Sequence, residues 1–68
     1  MTKAQAEKAL TQYKDVDDDG IEYGYKIVSY AGTDGEGHIF NCVCDDEPDT
    51  AQSHPIGVYP GIIIPIPE

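Results

Sequence analysis

The chain has no arginine and no tryptophan, and four lysines stand against 13 aspartates and glutamates. Proteins that hold DNA or RNA neutralise phosphates with Lys and Arg, so direct nucleic-acid binding is not expected. An anionic membrane surface is excluded for the same reason. Long hydrophobic runs are missing too. The longest is Ile62-Ile63-Ile64, far short of the roughly 20 apolar residues that cross a bilayer. Met1-Thr2-Lys3-Ala4-Gln5 lacks the apolar core of a secretory leader, so the expected location is the cytoplasm. Cysteine is scarce: Cys42 and Cys44 only. Two apart on a strand, their Cα atoms stand about 6.6 Å from each other, the long edge of disulfide geometry. Free thiols are expected.

What the chain has in excess is negative charge. Between Asp15 and Asp49 lie eleven carboxylates and one lysine, Lys26, a local charge of −10 against −9 for the whole molecule. Self-repulsion at this density opposes a compact state, which points to a use for it, a basic partner or a metal ion. Five tyrosines and a phenylalanine argue for a folded chain, because disordered acidic segments are poor in aromatics. Sixty-eight residues make one small domain, whose core supplies only about 3–5 kcal/mol.

The pattern along the chain is α+β: one N-terminal helix packed on a small antiparallel sheet, a β-hairpin plus one or two short C-terminal strands. Residues 3–14 read as the helix. Thr2 and Gln5 form a capping box, and Ala6, Ala9, Leu10 and Tyr13 share one apolar face. Lys14 complements the helix dipole. An acidic loop follows over 15–20, with Gly20 as its turn residue. The hairpin spans 21–44. In its first strand Ile21, Tyr23, Tyr25 and Ile27 share one face, and Glu22, Gly24, Lys26, Val28 and Tyr30 the other. Residues 31–37 form the turn, and the second strand aligns His38, Phe40, Cys42 and Cys44. A second acidic loop occupies 45–50. The Pro-rich apolar tail, 54–68, offers Ile56–Tyr59 and Ile62–Ile64 as short edge strands. They either complete the core, the favoured reading, or form a patch for self-association, including a homodimer.

Asp15-Val16-Asp17-Asp18-Asp19-Gly20 matches the opening of a calcium loop, D-x-D-x-D-G. Alternating carboxylates about a tight glycine turn converge hard oxygens on one cation, with Asp15, Asp17 and Asp19 as ligands. The loop resembles an EF-hand up to Gly20 and then departs from it, with Lys26 where the bidentate glutamate belongs. His38, Cys42, Cys44 and His54 carry the donor types of a zinc site, but without paired C-x2-C spacing. No nucleophile elbow or phosphate loop is present, so an enzyme is not expected and no cofactor is required, calcium being the alternative.

The leading reading is a small acidic binding protein. Asp15, Asp17, Asp18, Asp19 and Glu22 form one contact cluster, and Asp45, Asp46, Glu47 and Asp49 the other. Carboxylates two apart on extended backbone stand about 6–7 Å apart, of the order of successive phosphates. Such a face suits inhibition of a basic nucleic-acid-handling protein by nucleic-acid mimicry. In size and charge the chain resembles phage-encoded inhibitors of host nucleases and CRISPR complexes, which implies an anti-defence role. The alternatives are a calcium-binding module and an assembly protein held by its tail.

Overall fold

The computed structural model describes residues 1–48 and 50–66. Its elements run α1 (Lys3–Gln12), β1 (Asp15–Val16), β2 (Glu22–Tyr23), β3 (Tyr25–Asp34), β4 (Gly37–Cys44), β5 (His54–Tyr59) and β6 (Ile62–Pro65). The strands β3-β4-β5-β6 form an antiparallel meander, and β1-β2 a separate two-stranded ribbon. This is the α+β arrangement of one helix on a small sheet.

Helix α1 begins where its capping box dictates. The Thr2 hydroxyl accepts from the Gln5 amide at 3.1 Å, and the Gln5 side chain accepts from the Thr2 amide at 2.9 Å. It ends at Gln12, two residues before the expected Lys14, because Tyr13 turns to extended backbone. Lys14 therefore lies outside the helix and pairs with Asp45 at 3.3 Å instead of serving the helix dipole. Ala6 and Leu10 are buried on the apolar face, and Tyr13 stacks on Tyr25 with ring centres 5.9 Å apart.

The hairpin differs from its alternation in three ways. The expected first strand is broken at Gly24: Glu22–Tyr23 pairs back on Asp15–Val16, and pairing with β4 starts at Tyr25. The turn is only Gly35-Glu36, with φ +63° at glycine and negative φ at glutamate, the II′ pattern that matches strand twist. Two bulges then intervene. The register steps over Val28 and over Ala31, so that Tyr30 faces Phe40 and Ile27 faces Cys42. The extra residue at Val28 moves Tyr30 onto the face of Tyr25 and Ile27, opposite to its place in strict alternation. Its ring lies 5.2 Å from that of Phe40.

One sheet face carries Tyr25, Ile27 and Tyr30 on β3 and His38, Phe40, Cys42 and Cys44 on β4. It continues through His54, Ile56 and Val58 on β5 to Ile63 and Pro65 on β6. Helix α1 packs on this face, and the core gathers Ala6, Leu10, Phe40, Cys42, Ile56 and Val58. The tail thus supplies core residues, and β5 lies inside the sheet instead of at its edge. Its other residues face away. Ile62 is 54% and Ile64 40% exposed, on the far face beside Tyr59. The Tyr59 ring fills the space a side chain at Gly37 or Gly57 would take, and its hydroxyl donates to Asp34 at 2.6 Å. Among the described residues, no helix is long and apolar enough to cross a membrane.

Leu10 is fully buried in a core with little to spare. Leu10→Ala is expected to cost about 2–5 kcal/mol, as much as the whole fold holds. A thermal melt followed by circular dichroism should lose its cooperative transition.

Candidate functional site

A ten-residue helix is about 15 Å long, whereas the eight residues of β4 span about 26 Å. Helix α1 therefore covers one end of the sheet and leaves the other open. On the open end the helix-side face presents Tyr25, Cys44, His54, Ile56 and Pro65, and these line a groove of about 490 Å³. Its walls are the two acidic segments. Asp17, Ile21 and Tyr23 come from the β1-β2 ribbon and its connecting loop, and Asp46 and Glu47 from the segment after β4. Asp17 of one expected cluster and Asp46 and Glu47 of the other thus line the same groove. Asp49 lies outside the described residues, as do Pro67 and Glu68 of the tail.

Asp45 sets this meeting. Its carboxylate accepts from the Gly24 amide at 3.1 Å and from Lys14 Nζ at 3.3 Å, while its own amide donates to the Gly24 carbonyl at 3.0 Å. Gly24 is buried beneath this clamp. A Cβ there would stand 2.8 Å from Lys14 Nζ and 3.1 Å from the Tyr13 carbonyl, so a side chain would displace the lysine and crowd the backbone.

The aspartates of the D-x-D-x-D-G segment work locally. Asp17 Oδ1 accepts from the amides of Asp19 and Ile21, each at 2.9 Å, closing an Asx turn that ends at Gly20. Asp15 accepts from the Val16 amide at 2.8 Å and from the hydroxyls of Tyr13 and Tyr23 at 3.2 and 3.4 Å. The Asp15, Asp17 and Asp19 carboxylates of the calcium alternative thus lie in a segment whose turn is closed through a single oxygen of Asp17. Asp18, Asp19, Glu22, Asp46 and Glu47 are exposed. Of the nine carboxylates assigned to contact, Asp15, Asp17 and Asp45 thus have structural duties as well.

Tyr23 and Tyr25 meet edge to face at 6.0 Å, forming an aromatic wall. Burial and the neighbouring Tyr23 hold the Tyr25 phenol well above its ordinary range. Burial and the Asp15 carboxylate push Tyr13 the same way. The Tyr13 and Tyr25 phenols therefore remain neutral hydrogen-bonding groups at physiological pH.

The thiols occupy two environments. Cys42 is buried, its Sγ 3.6 Å from the Phe40 carbonyl oxygen, and burial pushes its pKa up to about 11. Cys44 lies in the groove, raised by partial burial, by its hydrogen bond with Glu47 and by the charges of Glu47, Asp46 and Asp45. The ligating atoms of Cys44, Asp46 and Glu47 lie within 4.8 Å of one another. The zinc donor set from the sequence does not assemble among the described residues. Both His38 ring nitrogens are engaged, Nδ1 with the Tyr30 hydroxyl at 2.7 Å and Nε2 with the Met1 carbonyl at 2.9 Å.

No family model, curated protein or solved structure matches the chain.

The thiols and phenols make the site and the fold sensitive to alkali. Their folded pKa values are raised, so the unfolded state ionises first. Stability is intact below the ordinary thiol value of 9.0 and is lost as pH rises toward the Cys42 value of about 11. Midpoints of urea unfolding measured across this range should fall, with no matching fall between neutral pH and the thiol range. Alkylation of the native protein under mildly alkaline conditions should reach Cys44 before Cys42. Asp46→Asn with Glu47→Gln removes charge that opposes the thiolate, so mass spectrometry should then show faster modification of Cys44.

Proposed function

We propose that this chain is a small acidic binding protein that inhibits a basic, nucleic-acid-handling protein by occupying its nucleic-acid groove. The observation that carries the reading is that both acidic segments line one groove, through Asp17 from the first and Asp46 and Glu47 from the second. A chain of net charge −9 pays for such crowding in self-repulsion, and a cationic surface relieves it. Exposed Asp18, Asp19 and Glu22 extend the negative field beyond the groove on the ribbon side. Opposed patches of this kind steer encounter and make association fast and salt-sensitive. Asp15 and Asp45 serve the reading indirectly, by fixing the loops that carry the exposed carboxylates. The resemblance in size and charge to phage-encoded inhibitors gives the class of target, a nuclease or CRISPR-type complex.

The test is retention of basic proteins on the immobilised chain, followed by competition with duplex DNA. Retained proteins should bind nucleic acid themselves, be released by the duplex, and be lost with rising salt. Asp17→Lys combined with Asp46→Lys should weaken retention by a hundredfold or more, two charge pairs at about 1.4 kcal/mol each, and flatten the salt dependence. Undiminished retention by the double variant refutes the mimic.

A second reading, self-association through the tail, has its own observation: Ile62 and Ile64 are exposed beside each other on the edge strand β6. Sedimentation should detect a dimer that Ile62→Lys with Ile64→Lys dissociates. A monomer at all concentrations rules this out.

A further inference from the structure

We infer that the groove is an anchor pocket for a single arginine side chain of the partner, an inference that rests on the proposed basic-protein target and names its central contact. The groove has the two parts that such a side chain requires. Tyr23, Tyr25, Ile56 and Pro65 give it an apolar and aromatic lining, while Asp17, Asp46 and Glu47 give it carboxylates. An arginine has the matching halves, an apolar stem and a planar cation with five donors. Its guanidinium stacks on phenol rings and grips a carboxylate with two parallel hydrogen bonds, which an ammonium cannot do. The volume, about 490 Å³, falls within the range of roughly 300–1,000 Å³ usual for small-molecule sites, which leaves room for an arginine side chain and its flanking groups.

Charge complementarity selects the occupant. An apolar stem alone would leave the carboxylates against hydrocarbon, and an anion is repelled by a net −9 molecule. The chain contains no arginine, so a guanidinium reaches this site only from another molecule. Its lysines do not imitate one there. Lys14 is tied to Asp45, and Lys26 Nζ donates to the Glu47 carbonyl at 3.0 Å. An open aromatic groove that an arginine fills and desolvates on binding has the form of an interface hot spot, ringed by exposed charges that contribute steering more than affinity. The pocket and the surrounding acidic field therefore have separate duties. One anchors, the other attracts.

The experiment is an amide and aromatic NMR titration of the full chain with N-acetylarginine methylamide. The matching lysine and citrulline derivatives are titrated in parallel. Citrulline keeps the shape of arginine and lacks its charge. Saturable shifts at Tyr23, Tyr25, Cys44 and Ile56 are expected with arginine, weaker ones with lysine, and none with citrulline. Glu47→Gln should weaken the arginine titration by about tenfold. Ile21→Ser, at a residue 61% exposed and so harmless to folding, should also weaken it. Shifts that never saturate, that spread over Asp18, Asp34 and Glu36, or that are equal for arginine and lysine overturn the pocket. Retention of basic proteins that is still lost in the Asp17, Asp46 double reversal would then leave the acidic-face reading standing. A saturable arginine site with no DNA-competed partner would instead keep the pocket and overturn the mimic.

Discussion

The two-way hydrogen bond between Asp45 and Gly24, with Lys14 closing over it, joins three parts of the chain at one point. Lys14 follows the helix, Gly24 separates the ribbon from the sheet, and Asp45 begins the second acidic segment. Each has little reason to stay near the others without this contact, since β1 and β2 are two residues long and the acidic segments repel. As an ion pair it is worth little, because both side chains are well exposed, at 49% and 37%. Its weight comes from geometry. The Asp45 amide and carboxylate take both polar groups of a buried glycine, which in that position would otherwise lack partners. The same contact that anchors the ribbon sets its acidic tip opposite Asp46 and Glu47.

Negative charge in this molecule is therefore of two kinds. Asp15, Asp17, Asp34 and Asp45 accept hydrogen bonds from amides, phenols or an ammonium, and so replace the hydration that their neighbours need. Asp18, Asp19, Glu22, Asp46 and Glu47 project into solvent and contribute field. The first group makes local order where the chain has little apolar material. The second makes the molecule less stable than an uncharged equivalent, through self-repulsion that a cationic surface would relieve.

The sequence made the helix start, the strand pairing of His38–Cys44 and the general α+β plan legible, because these depend on local signals: a capping box and strict alternation. It also brought the two acidic clusters to the same end of the hairpin, since a second strand must return to where the first began. Other features depended on information that no short window contains. The bulges at Val28 and Ala31 are visible only against the partner strand, so Tyr30 was assigned to the wrong face. The helix stops at Gln12 because Tyr13 is drawn into a stack with Tyr25, a residue twelve positions away. The tail read as ambiguous between core and surface and serves both, since alternation sends Ile63 inward and its neighbours outward. The D-x-D-x-D-G segment reads as part of a contact cluster, with a calcium loop as the alternative, and the same spacing also closes an Asx turn. Sequence alone does not distinguish an aspartate that awaits a metal from one that already holds an amide.

The two surfaces the fold leaves open lie on opposite sides of one sheet. The groove belongs to the helix-side face, with Ile56 and Pro65 at its floor, while Ile62 and Ile64 belong to the other. Self-association through β6 and capture of a basic partner in the groove therefore do not compete for the same atoms. Their coupling runs through β5 and β6, where Ile56 faces Pro65 and Gly57 faces Ile64 in adjacent register positions. A partner copy covering Ile64 would brace the strand that carries Pro65, and so stiffen the part of the groove that Pro65 lines. Preorganising a site in this way raises affinity without adding a contact, because less ordering is left for binding to supply. In so small a core, the alternating tail thus completes the front face with Ile63 while leaving Ile62 and Ile64 on the back.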